Sequence, residues 1–281
     1  MIRLLSHKDY DSIRNLWLSV YPNEADEIEN FFREYPRPLG WVNQEQSMIN
    51  SFVIFTPCSY ERGGVSSPCW NLYKCATRSD SRHRGYMSKL LSEAEATAQE
   101  KKIEGIIVVP TSEQASVFFK NRGFQLFSKK KVVMCEGVKT ISDFQLSNIS
   151  SHQLHSAHKR MFGRNGLMWT IHYANFIASQ VNSRNAFMYS FMYYNMVGTI
   201  VCHRNGSVLV VEELTARIQH KGRLEKVDLQ SIANGLSTAL DVKTICYNMP
   251  EMADNYGKII ESSLVKSGTM TYSPDNYVYL G

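Results

Sequence analysis

The residues best placed to do chemistry lie in Cys75-Ala-Thr-Arg-Ser-Asp-Ser-Arg-His-Arg-Gly-Tyr-Met-Ser-Lys-Leu-Leu91, where a strand pattern gives way to a helical one. A polar loop there contains Arg82-x-x-Gly85, and the helix begins at once. The first amides of a helix have no intrahelical acceptor, and its dipole puts partial positive charge at the same end. A pyrophosphate fits such a place. Gly85 permits close backbone approach, and Arg82 and Arg84 can add charge-assisted hydrogen bonds. Arginine and glycine also cluster at ordinary helix starts, so the elements around the loop must support the reading.

Tyr10, Ile13, Leu16, Trp17 and Val20 recur at helical spacing, which predicts an amphipathic helix over 7–20, followed by a second over 24–35. Strand patterns follow at 38–43, 47–56 and 69–77, with a Gly63-Gly64 turn before the third. The helix after the loop carries Met87, Leu90, Leu91, Ala94 and Ala98 on one face. Then come the strand ending at Pro110, a helix bearing Ala115, Phe118 and Phe119, a stop at Gly123, and a strand pair from Phe124 to Cys135. Part of this order recurs. An Asn205-Gly206 hairpin, a helix over 226–240, a strand ending at Pro250, a helix, Gly268 and an aromatic strand from Thr271 repeat the first half. The expected fold class is α/β with a mixed sheet, in two domains, 1–137 and 138–281.

The loop resembles the acyl-CoA loop of the GNAT N-acetyltransferase superfamily, an Arg/Gln-x-x-Gly-x-Gly/Ala pattern after a strand and before Leu-Leu on a helix. Arg82, Gly85 and Leu90-Leu91 match it, and Ala115-x-x-Phe118-Phe119-x-x-x-Gly123-Phe124 matches the family's later Ala-x-x-Phe-Tyr-x-x-x-Gly-Phe. Ala76-Thr77 through Arg84-Gly85-Tyr86 and the doubled order look most like tandem GNAT proteins of the enhanced-intracellular-survival type, without their sterol-carrier-like domain. The resemblance implies two GNAT folds, the second degenerate, and acetyl-CoA as co-substrate. The amides of His83, Arg84, Gly85, Tyr86, Met87 and Ser88 would hold the pyrophosphate. The strand edge at Cys75, Ala76 and Thr77 would pair with the pantetheine arm.

The sequence also departs from the pattern. Met87 replaces a small residue and Ser79 a proline, changes that a backbone-mediated contact survives. Phe119 stands where relatives place a tyrosine that protonates the departing thiolate, and a phenyl ring has no proton to give. Acetyl transfer needs a neutral amine, close approach to the thioester and a stabilised oxyanion. Alternation places Asn71, Tyr73, Cys75 and Thr77 on one strand face, with no carboxylate among them. Tyr73 is the residue there able to relay a proton, a packed strand tyrosine being the plainer reading; Glu61 could reach in from the preceding loop. The resemblance adds the C-terminal carboxylate, here Gly281, as a catalytic group. In the second copy, Arg217-Ile-Gln-His-Lys-Gly-Arg-Leu224 lacks the loop pattern, so that copy is expected to bind no CoA.

The rest of the chain narrows the function. Among 281 residues, 31 Lys and Arg against 26 Asp and Glu leave +5, split +3 and +2 about residue 140. That even spread predicts no nucleic-acid partner. No apolar run suits a signal peptide or a membrane span, and six scattered cysteines read as buried thiols, so a cytoplasmic protein with no membrane partner is expected. His152, His155 and His158 read as a solvated helix rather than a metal site, and Lys129-Lys-Lys131 as a solvated strand start. Met188 to Met196 reads as core, with the lining of a hydrophobic acceptor site as the sharper alternative. The sum is an acetyl-CoA-dependent N-acetyltransferase acting on a small-molecule or peptide amine, with oligomers compatible. An acyl-CoA-binding regulator with little turnover is the alternative; an aminoacyl transferase using charged tRNA is disfavoured by the intact loop.

Overall fold

Ile13, Leu16 and Trp17 bury one face of α1 (Tyr10–Val20), and Ile28 and Phe31 one face of α2 (Ala25–Glu34). Both follow the short β1 (Ile2–Leu4). The computed structural model describes residues 1–140, 143–163, 165–181, 186–194, 196–218, 228–250 and 257–273. These fall into two compact units.

The first unit comprises residues 1–60, 65–126 and 263–271. Its strands β2 (Leu39–Glu45), β3 (Met48–Arg62) and β4 (Val65–Thr77) join in order after β1, and β4 runs parallel to β5 (Gly105–Val108). Helix α3 (Tyr86–Glu100) makes the crossover between β4 and β5, and α4 (Glu113–Asn121) follows β5. Leu90, Leu91 and Ala94 are fully buried against Trp70, Leu72, Ile106 and Phe119. At roughly 25 cal/mol per Å² of apolar surface, this face dominates what holds α3 in place.

The second unit comprises residues 61–64, 127–262 and 272–281. It contains β7 (Gln145–Asn148), α5 (Ser151–Phe162), β8 (Asn165–Trp169), α6 (Ile171–Val181), β9 (Ala186–Tyr193), β10 (Met196–Asn205), β11 (Val208–Ile218), α7 (Leu229–Leu240) and β12 (Thr244–Pro250). It also takes most of β6 (Gln125–Glu136), a single strand where a strand pair was expected. β9 and β10 pair antiparallel, β10 turns at Asn205-Gly206 into β11, and β11 runs parallel to β12.

The units repeat one design, with an exchange at its edge. In the first, β4 and β5 share four parallel registers, Cys69 with Gly105 to Leu72 with Val108. In the second, β11 and β12 share four, Val208 with Thr244 to Val211 with Tyr247. The strand beyond β12 is β6, antiparallel from Thr244–Glu136 to Pro250–Lys130. The strand beyond β5 is β13 (Lys258–Lys266), with Leu264 opposite Val108. Each unit is thus completed by a strand from the other half of the sequence, so the units are not the contiguous segments 1–137 and 138–281. β13 also occupies the place where a helix before Gly268 was expected. Residues 271–273 form no strand, and 274–281, including Gly281, lie outside the described residues. Gly105 marks how closely β13 approaches: a Cβ there would lie 3.1 Å from Val265 Cγ2.

The three histidines do lie on a helix, α5, though not a fully solvated one. His158 is 1% exposed, its Nδ1 3.0 Å from Glu213 Oε2 and its Nε2 2.9 Å from the Leu167 carbonyl. Periodicity placed these residues on a helix, but a partner 55 positions away buries one of them. Met188, Phe191 and Met196 are buried in the second unit, the plainer of the two expectations for that segment. No described helix is long and apolar enough to cross a membrane. All six cysteines are free, and no metal-ligating cluster occurs among the described residues.

Candidate functional site

β5 pairs with β4 only as far as Leu72, and β4 runs on through Tyr73, Lys74, Cys75, Ala76 and Thr77. That overhang leads through a 3-10 turn at Ser79–Ser81 into the loop. Arg78 and Asp80 pair across the turn at 2.9 Å, and hydrogen bonds from Arg78 and Ser81 bring the Asp80 carboxyl down to about 2. Arg82 is extended, His83 adopts φ +62° and Gly85 φ +74°. A histidine in the left-handed region is uncommon and costs energy, so the loop is held there by its surroundings. Residues of alternating hand turn successive N–H groups toward one concavity suited to an anion.

The loop is open to a ligand. Gly85 caps α3 with no side-chain hydrogen bond, the first helical bond is Lys89 N–H to the Gly85 carbonyl at 3.0 Å, and a Cβ on Gly85 would meet nothing within 4 Å. Arg82, His83 and Arg84 are exposed, and neither arginine is ion-paired among the described residues. Tyr86 is buried and donates to Glu45 Oε1 at 2.8 Å, fixing the helix start from below. Met87 packs partly against the core around Leu90, and Ser88 is half-buried. Together, uncapped amides, open space at Gly85 and two guanidinium groups outside any ion pair fit a pyrophosphate.

The overhang departs from the expected alternation. Trp70 and Leu72 belong to the core with Leu90 and Leu91, and Cys75 packs against that same cluster. Between them, Tyr73 and Lys74 both reach Glu27 of α2. Neighbours on a regular strand point to opposite faces, so the single face of Asn71, Tyr73, Cys75 and Thr77 does not form; β4 loses one step of its alternation here, as at a bulge. The Ala76 carbonyl accepts from Ser51 Oγ at 2.9 Å, and Thr77 Oγ1 lies 2.8 Å from the same hydroxyl. The half-buried Cys75 has its thiol pushed up to about 11 by desolvation, which keeps it protonated at neutral pH.

Carboxylates absent from the strand arrive from α2. Tyr73 donates its hydroxyl hydrogen to Glu27 Oε1 and stacks on Phe31 at 4.7 Å and 5°. Lys74 Nζ lies 2.8 Å from Glu24 and 3.4 Å from Glu27, 4.6 Å from the centre of the Tyr21 ring and 5.2 Å from that of Trp17. Tyr21 donates to the Cys75 carbonyl at 3.5 Å; burial, followed by the nearby Cys75 and Glu24, pushes its hydroxyl up to about 12. Glu27 precedes Phe31 by one helical turn on the buried face of α2, and that spacing is the signal by which it could have been found. Phe119 is 4% exposed and packs edge-on against Phe124 at 5.2 Å, within the core.

Residues 1–127 match the family model described as an acetyltransferase (GNAT) domain. That match covers 127 of the 281 residues, and the segment has the GNAT fold. Among solved structures, a probable N-acyltransferase from Enterococcus faecalis V583 aligns with a TM-score of 0.71 at 11% identity, over 95% of this chain and 72% of its own. Eis1 from Mycobacterium abscessus aligns with a TM-score of 0.62 at 10% identity, over 95% and 73%. A tandem GNAT protein from the clavulanic acid biosynthesis pathway gives 0.57 at 10% identity, over 95% and 98%. No curated protein matches the sequence. The likeness to these three is one of fold, and the chain has the tandem GNAT architecture.

The second GNAT unit closes the equivalent helix end. Asp228 caps α7, its Oδ1 accepting from the amides of Gln230 and Ser231 at 3.1 Å each, while Ser231 Oγ donates to Oδ2 at 2.6 Å. A carboxylate occupies the amides that a phosphate would need. Residues 219–227, most of the segment read as lacking the loop pattern, lie outside the described residues.

Proposed function

We propose that the protein is an acetyl-CoA-dependent N-acetyltransferase that transfers acetyl to a primary amine by direct attack in a ternary complex. The observation that carries this reading is the uncapped start of α3 at Gly85 beside the end of β4 that extends past its pairing with β5. On it, the amides of residues 83–88, with Arg82 and Arg84, hold the pyrophosphate, and the Cys75–Thr77 edge aligns the pantetheine arm. The Asp228 cap supports a second unit without CoA. Six free thiols support a cytoplasmic setting.

The acceptor amine loses its proton toward Tyr73, whose hydroxyl is already committed to Glu27. Its nitrogen bonds to the thioester carbon as the carbon–sulfur bond breaks, and the released thiolate takes a proton. Tyr21, kept protonated by its surroundings, supplies that proton in place of a tyrosine at position 119. Glu24 and Glu27 against Lys74 leave the acceptor side one negative charge in excess, which supports a cationic amine as substrate.

A second reading, an acyl-CoA-binding regulator with little turnover, is favoured by one observation: Phe119 is buried and without a proton. Calorimetric titration with acetyl-CoA, followed by thiol release against a panel of mono- and polyamines, tests both. Binding with turnover supports the enzyme, and binding without turnover on any amine supports the regulator. Absence of binding overturns both.

A further inference from the structure

One segment of this chain carries a net positive charge because it lacks acids. From Phe144 to Val211 there is no aspartate or glutamate, while the segment holds Lys159, Arg160, Arg164, Arg184 and Arg204 and five histidines. Those five cations equal the whole net charge of +5; the other 26 Lys and Arg balance the 26 acids found elsewhere. An even split of charge between the halves conceals this.

The same segment builds a cleft in the second unit. A volume of about 1060 Å³ opens between α5, β7 and the sheet face of β9, β10 and β11. Every residue lining it comes from the acid-free segment except Thr215 and Ala216, and none is acidic. Arg160 lines it, exposed and without an ion pair among the described residues, one helical turn beyond Ser156, which lines it too. The nearest acid along β11, Glu213, is fully buried against His158 and does not line the cleft. Met161, Met192 and Ile149 add adaptable apolar lining, and Ser147 adds a hydroxyl.

We infer that this cleft binds a small amphipathic anion, a carboxylate carried on an apolar body, as a second ligand site separate from the acetyl-transfer site. A lone cation in a carboxylate-free cleft favours one anionic group. A cleft this large, with Met161, Met192 and Ile149 in its lining, accommodates a body of drug-like size beyond that group. The charge of Arg160 fixes the anionic end, and the methionines accept the chain.

Octanoate is the probe. Calorimetry on the full-length protein is expected to show one octanoate site, with octylamine not binding. Arg160→Gln should weaken octanoate by about tenfold, as expected for losing a charge-assisted contact. Ser156→Glu, which puts a carboxylate on the exposed cleft wall, should abolish binding, while Arg82→Ala in the acetyl-transfer loop should leave it unchanged. Circular dichroism and melting temperature confirm that each variant is folded. No octanoate binding, equal binding by octylamine, or undiminished binding in folded Arg160→Gln overturns the inference. None of these outcomes bears on acetyl-CoA, which is titrated separately.

Discussion

Tyr73 and Glu27, 46 residues apart, are joined by a hydrogen bond from the tyrosine hydroxyl to a carboxylate that is itself buried. The pair gives the end of β4 the proton acceptor that its own residues lack. Glu27→Gln keeps the shape and removes the charge, so kcat is expected to fall by about a hundredfold while acetyl-CoA affinity is retained. Tyr73→Phe should reproduce the loss. A Glu27→Gln enzyme with wild-type kcat would sink the assignment.

Tyr21 is expected to act in the opposite direction, giving a proton rather than accepting one. Its hydroxyl is held up to about 12, so it remains protonated through neutral and moderately alkaline pH. Tyr21→Phe should lower kcat, and the wild-type pH–rate profile should show no loss attributable to this group below about pH 11. Steady-state rates from pH 6 to pH 11 check both expectations.

Gly85 has open space where a side chain would go, but its φ of +74° suits no residue with a Cβ. Gly85→Ala therefore costs about 1 kcal/mol in the folded loop and tilts the amides of α3. Acetyl-CoA affinity should drop in both Gly85→Ala and Arg82→Ala, and added salt should weaken wild-type binding more than Arg82→Ala binding. Titrations at two ionic strengths measure this.

Leu264 lies late in the chain, yet it is 1% exposed in the core of the N-terminal GNAT unit, opposite Val108. Leu264→Ala should cost about 2–5 kcal/mol and loosen that unit. Hydrogen exchange should show lost protection at Ile106 to Val108 before the second unit is affected. Unchanged protection there would argue against the strand exchange.

Asp228 has its carboxyl held below the ordinary range, first by the Ser231 hydroxyl and then by the amides of Ser231 and Gln230. A depressed folded pKa gives stability that is complete above the unfolded value of about 3.9 and is lost as pH falls through the folded value. Acid titration of urea unfolding should show that loss in wild type and a flatter curve in Asp228→Asn. At neutral pH, Asp228→Ala should cost about 1 kcal/mol, the usual value of a lost cap.

What the sequence determined by itself was local. The strand-to-helix loop around Arg82 and Gly85, the apolar stripe of α3 and the repeated order depend on neighbouring residues and on periods of 2 and 3.6, which can be read along a single chain. The tertiary structure decided everything that joins distant positions. It brought Glu27 to Tyr73 and Lys74, buried His158 against Glu213, put Phe119 into the core and exchanged β6 with β13. Propensity and spacing do not encode such pairings, because the free energy that selects them comes from burying one element against another. For the same reason the halves looked evenly charged in sum, while folding gathers an acid-free segment around one cleft.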